Sequence, residues 1–188
     1  VHEPSASSDA ATKNYVDTTI ASNAAEVTVV QFVQEQKTFG SLTMFHSLTP
    51  IAAGSGSYNG ITSCTITPAS NKFTLPAGTY LLDCDIDYRR SLSEPQRGPQ
   101  VNLTTANHAS ATSLSGAVTS AGGTRDVRGY LSVSGGDTND ITFGLGFKDV
   151  ITLTGTQDLF VTVGQAFRMA NSNTAAFFCG RLVIQKLA

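Results

Sequence analysis

Four carboxylates recur at fixed intervals in the stretch DCDIDYRRSLSE. Asp83, Asp85 and Asp87 occupy positions 1, 3 and 5 of a frame that ends on Glu94 at position 12. Oxygen donors at those positions have the spacing of a calcium-binding loop. Position 6, where the sharp turn requires glycine, is Tyr88, and the segment alternates apolar and polar residues as a strand does. A polar strand face is therefore the stronger reading. Calcium held by Asp83, Asp85 and Asp87 where copies of the chain meet is the minority metal reading, and no other cofactor is expected.

The remaining chemistry-bearing residues are dispersed. His2, His46 and His108 are far apart and lack cysteine or carboxylate neighbours at zinc-ligand spacing. Cys64, Cys84 and Cys179 are odd in number and widely separated, which is neither a disulfide framework nor a metal site. They read as free thiols acting as small hydrophobes in a protein folded in a reducing cytosol. No serine sits in a G-x-S-x-G elbow. Paired carboxylates for glycoside hydrolysis stay open as the enzyme alternative, but a sugar-cleaving spike needs a longer β-helical body. The chain is expected not to be an enzyme. NLT at 102–104 matches a glycosylation acceptor and reads as chance.

Composition narrows the partners. With 188 residues the chain can bury one good core, giving one main domain with an appendage. A net charge of −2 gives no electrostatic case for nucleic acid or an anionic membrane. The longest apolar runs fall far short of a membrane span.

These residues need elements to hold them. From Val27 onward the pattern is short alternating strands separated by Gly, Pro, Asn and Asp: VTVVQFVQEQ, SLTMFHSL, ITSCTIT, FTLPAGTYLLDCDIDY, VNLTT, RGYLSVSGGDTND, ITFGLGF, DLFVTVGQAF and AFFCGRLVIQKL. Eight to ten strands without βα alternation indicate an all-β sandwich or barrel, a jelly roll being favoured. In TYLLDCDIDYR, Tyr80, Leu82, Cys84, Ile86 and Tyr88 share one face, and Asp83, Asp85, Asp87 and Arg89 share the other. LPAG before it is a turn, with Pro76 setting φ and Gly78 supplying freedom.

The N-terminal segment differs. Asp9 is an N-cap candidate, and Val16, Ile20, Asn23 and Val27 follow a 4-3-4 spacing, the seam of a coiled coil. Asn23 is the kind of seam residue that fixes register and oligomer number. A helix so short, rich in Thr, Ser and Asn, is marginal in isolation. The start, VHEPSASS, reads as mid-linker, so the sequence is expected to be a fragment.

DAATKNYVD (9–17) closely resembles the DAATKxYVD segment that recurs in bacteriophage tail-fibre and related virion fibre proteins, where it forms a short trimeric collar. FVQEQK (32–37), FTLPAGTY (73–80) and LVIQKL (182–187) resemble the C-terminal knob of such fibres, which is similar to the trimeric jelly roll of the complement and tumour-necrosis-factor group. The terminal strand of such knobs often carries Trp; this chain has none, and Gln185 stands in that neighbourhood. The loops between 89 and 125 match nothing in the family.

The resemblance implies a linker (1–8), a helical trimerisation collar (9–26) and a jelly-roll knob (27–188). It implies a homotrimer in the virion, assembled in the bacterial cytoplasm, joined to other virion proteins through its N-terminal side. The function implied is that of a tail-fibre tip binding a host surface glycan or protein. The alternatives are a head or neck fibre and a secreted bacterial jelly-roll binding module. Receptor contact is expected in the tip loops, above all GSGSYNG (54–60) and 105–126, rather than in the sheet faces, with Tyr58, Asn59, Arg97 and His108 able to stack on or hydrogen-bond a receptor. The long loop 105–126, rich in small residues, is expected to be dispensable for the core.

Overall fold

The computed structural model describes residues 26–40, 45–91, 99–118, 127–128, 140–165 and 174–187. Eleven strands run through them: β1 (Val27–Phe39), β2 (Phe45–Ser47), β3 (Tyr58–Asn59), β4 (Thr65–Thr67), β5 (Lys72–Leu75), β6 (Gly78–Ser91), β7 (Pro99–Thr104), β8 (Val127–Arg128), β9 (Asp140–Leu153), β10 (Gln157–Gln165) and β11 (Thr174–Lys186). Among the described residues the one helical element is a 3-10 turn at Pro68–Ser70.

The strands form a β-sandwich. One sheet has the order β3-β1-β11-β6-β9-β8; the other has β2-β10-β5-β4, with β7 paired to the free side of β10. All the pairings are antiparallel. Period-two alternation decides which side chains meet between the layers. Tyr80, Leu82, Cys84, Ile86 and Tyr88 of β6 point inward, as the sequence indicates, and join Leu182 and Ile184 of β11 and Leu159, Val161 and Val163 of β10 in one core. The Tyr80 ring is fully buried, and its hydroxyl donates to the Pro76 carbonyl at 2.8 Å, fastening the corner where the chain passes from β5 to β6.

Two local devices shape the larger sheet. Between Phe32 and Glu35 the β1–β11 register slips by one residue, a β-bulge. There the Glu35 carboxylate accepts the Thr49 amide at 2.7 Å and so holds the chain that leaves β2. Opposite the bulge, Gly180 has φ +151, and a Cβ on it would strike the Asp85 carbonyl oxygen of the neighbouring strand. Only glycine lets β11 and β6 close there.

Three expectations are altered. Val27 begins β1 and pairs with Gln185, so it belongs to the sheet, not to a helical seam; alternation from Val27 to Val30 overrides the 4-3-4 spacing. Val16, Ile20 and Asn23, with the linker and collar, lie outside the described residues. The GSGSYNG stretch ends in a strand, since Tyr58 and Asn59 pair with Val29 and Thr28.

The third alteration concerns residues 105–118, which form a partial third layer. Val101–Thr104 of β7 and Leu159–Gly164 of β10 are buried at consecutive positions, hence on both faces of the sheet. What covers the outer side is the segment after β7. Its backbone bonds to β2 through Phe45 N to Ala111 O (3.0 Å), Ala111 N to Phe45 O (3.1 Å) and Ser47 N to His108 O (2.7 Å), and Val118 N reaches Leu103 O at 2.9 Å. This part of the loop is not dispensable: removing it exposes Phe160, Thr162 and Thr104 to water.

Candidate functional site

The outer face of the six-stranded sheet carries exposed apolar residues beside charged ones. Register places its residues in rows across neighbouring strands. The row Tyr58, Val29, Val183, Asp83, Lys148 runs from β3 to β9, and beside it runs Val27, Gln185, Leu81, Val150. Side chains at these positions point away from the core, because their neighbours in sequence (Val30, Leu82, Leu182 and Ile184) point into it. Tyr58 is 63% exposed and Val150 54%, while Val27, Val29, Leu81 and Val183 are half-buried. The result is a set of six apolar residues grouped around Gln185, located where β1 begins.

Further along the same face the chemistry turns ionic. The next row is Gln31, Arg181, Asp85, Gly146, and beyond it Cys179 faces Asp87. Asp83 pairs with Lys148 across the strands at 2.9 Å. Both partners are largely solvated, so the pair adds little stability. Three carboxylates and the cations Arg89, Lys148 and Arg181 balance each other in charge. A surface that carries both signs beside an apolar patch is suited to contact with a similar surface.

Asp83, Asp85 and Asp87 do not form a calcium hand. They lie on an extended strand, where alternate residues are about 6.7 Å apart. Among the described residues no group of three His, Cys, Asp or Glu side chains gathers as metal ligands do. Glu94 and Arg97 lie outside the described residues.

Tyr58 and Asn59 have separate duties. The Tyr58 ring lies over Gly60, whose Cα leaves no room for a Cβ beside the ring and the Val27 carbonyl. Asn59 is occupied with its own fold: its Oδ1 accepts from the Thr28 hydroxyl at 2.9 Å, and its Nδ2 donates to the Cys64 carbonyl at 2.6 Å. Burial pushes the Cys64 thiol above its usual pKa, which suits a packing role.

His108 is not a contact residue. It is 2% exposed, inside the third layer, and so cannot stack on a receptor. Its amide donates to Ser47 Oγ at 2.8 Å, and its Nε2 accepts the Ser115 amide hydrogen at 3.1 Å. Thr162 Oγ1 lies 3.5 Å from Nδ1 and 2.9 Å from Thr104 Oγ1. Asn102, first residue of the NLT triplet, is 4% exposed in this layer, so the folded chain offers its amide to no glycosylating enzyme.

The sequence reading missed the apolar patch, because its members come from five strands distant in sequence. One signal was available. VTVV places Val27 and Val29 on the face opposite Thr28 and Val30, and β-branched residues on both faces mark a strand covered on both sides.

No known protein-family profile matches the chain, and no curated protein matches it. Among solved structures, that of infectious bursal disease virus Gx strain is similar, at 12% identity and a TM-score of 0.37, over 87% of this chain. The chain spans about a third of the length of that solved chain, 32%.

Proposed function

We propose that the chain is the non-enzymatic head of a homotrimeric bacteriophage virion fibre, most simply a tail-fibre tip that binds a host surface glycan or protein. The supporting observation is the patch formed by Tyr58, Val29, Val183, Val27, Leu81 and Val150 beside a charge-balanced strip. Water-exposed apolar surface of this extent, rimmed by polar residues, favours burial against a protein partner. A second copy meets both its apolar and its ionic requirements. The patch lies where β1 starts, next in sequence to the segment 9–26, whose first residues, DAATKNYVD, resemble a trimeric collar.

The fold reading within this proposal is a jelly roll. Successive strands alternate between the two sheets, except for the pairs β4–β5 and β8–β9. That alternation is what nested Greek keys produce. The segments that resemble fibre knobs, 73–80 and 182–187, meet in the sheet through the pair Tyr80–Lys186. Three copies around one axis would multiply weak receptor contacts into avidity.

Light scattering of the purified chain tests the assembly, the expected mass being that of three chains. Antibody labelling of intact particles tests the location. Label at the tail tip supports receptor binding, label on the head or neck supports a decorating fibre, and no label on particles overturns the virion reading. Reducing-end assays on host polysaccharide should show no turnover.

A further inference from the structure

We infer that residues 105–118 form an acid-released cover on the outer side of the five-stranded sheet, with His108 as the group that senses pH. The inference rests on the third layer alone and stands whether or not the chain is a fibre.

The hydrogen-bond directions around the ring carry it. A backbone amide can only donate, so the Ser115 N–H at 3.1 Å requires a bare Nε2 on His108. The ring hydrogen is then on Nδ1, facing Thr162 Oγ1 at 3.5 Å. The hydroxyls order themselves around this arrangement. Thr104 Oγ1 donates to the Ala106 carbonyl at 2.9 Å and therefore accepts from Thr162, 2.9 Å away. Ser47 Oγ accepts the His108 amide at 2.8 Å and is free to donate to Thr162 at 3.3 Å. Each of these hydroxyl, amide and ring donors has an acceptor while His108 is neutral.

A second proton breaks this chain. It arrives on Nε2 and points at the Ser115 N–H, donor against donor. The Ser115 hydroxyl, 3.4 Å from Nε2, can rotate, but the amide cannot. Among the described residues no carboxylate is placed to serve the new charge as counter-ion. The segment 105–118 holds no other titratable side chain, β7 holds none, and β10 holds only Asp158, ion-paired with Lys72 at its other end. Strand β2 contributes His46, whose ring nitrogens lie 3.0 Å from the Ala109 oxygen and 2.9 Å from the Thr38 oxygen. Burial pushes the His108 pKa below its ordinary value, and the Ala106 carbonyl opposes this.

The sign follows. A histidine whose docked pKa is depressed binds more protons when released, so docking is complete above the ordinary value of 6.5 and weakens as pH falls through it. Release would uncover Thr104, Thr162 and Asn102, whose Nδ2 has no hydrogen-bond partner while buried. Acid thus converts a covered polar floor into an accessible one.

Amide hydrogen exchange on the full chain at pH 7.5 and 5.0 tests this, after correction for intrinsic exchange. Below pH 6.5 the Phe45, Ser47 and Ala111 amides should lose protection relative to those of β11, by at most about tenfold per pH unit. In His108→Gln, whose Oε1 replaces the Nε2 acceptor and does not titrate, the relative loss should vanish; in His46→Gln it should persist. An unchanged ratio in the wild type, or a loss that survives His108→Gln, overturns the inference. Should His108→Gln fail to dock at either pH, the wild-type imidazole nitrogen shifts decide. A hydrogen on Nδ1 and a midpoint below 6.5 support the switch, and a hydrogen on Nε2 or a midpoint at or above 6.5 refutes it.

Discussion

Tyr58 on β3 stands directly opposite Val29 on β1, which extends the outer apolar row of the six-stranded sheet by one aromatic ring. Both side chains face away from the core, so substitutions there leave the interior packing alone. Val29→Asp, or Val183→Asp in the same row, should preserve the unfolding temperature of the isolated head while abolishing its association. Light scattering should then read a one-chain mass in place of the three-chain mass expected of the proposed trimer. A variant that stays trimeric would exclude this face as the interface.

The loop 105–118 should prove structural. Replacing residues 108–122 by a short Gly-Ser turn removes the buried His108 and its bonds to Ser47. A lower midpoint in thermal unfolding is expected, and an unchanged midpoint would contradict the third layer. Thr162→Val, which leaves hydroxyl partners on Ser47 and Thr104 unmatched, should cost about 1–3 kcal/mol in urea titration.

Gly180→Ala is expected to destabilise by roughly 1–3 kcal/mol, since the φ of +151 suits only glycine and the added carbon meets the Asp85 carbonyl. Leu182→Ala, two residues on, opens a cavity beneath the same sheet and should cost about 2–5 kcal/mol. Denaturant midpoints at constant m-value are the check.

Thiol labelling should sort the cysteines by burial. Burial is the main cause that pushes the Cys84 thiol far above its usual pKa, with Asp85 and Asp83 beside it adding to the effect. Cys84 and Cys64 should stay unlabelled by a thiol reagent until denaturant is added. Cys179, on the outer face, should react first, and the proposed assembly predicts a faster reaction still in the Val29→Asp protein. Equal rates for the three would argue against the assigned faces.

At the acid end, Asp158 is held below its ordinary carboxylate pKa by the hydrogen bond from Lys72 at 2.7 Å and by the Thr74 hydroxyl. A depressed carboxylate stabilises above its unfolded pKa and loses that contribution as pH falls. Stability should therefore decline as pH drops through about 4 and below. Lys72→Met should shallow that decline in urea midpoints measured between pH 5 and 2.

Much of the sandwich could be read from the chain because strand formation leaves a local trace. The alternation of TYLLDCDIDYR, the Pro76–Gly78 corner and the glycine-punctuated runs located most of the strands among the described residues, although ITSCTIT is a strand only over Thr65–Thr67 and β3 falls in a stretch that reads as a loop; the inward set of β6 agrees residue by residue. The same locality misplaced Val27: four consecutive β-formers after Glu26 outweigh a spacing shared with three upstream residues. Other features were decided only in three dimensions. Which strands neighbour one another is set by loop closure and sheet pairing over long sequence distances, and so is the row that unites Tyr58, Val29 and Val183. His108 looked like a loop residue because its neighbours are small and aperiodic. It is buried because Ser47 and Thr162, 61 and 54 residues away, supply the hydrogen bonds that a buried imidazole and its amide require.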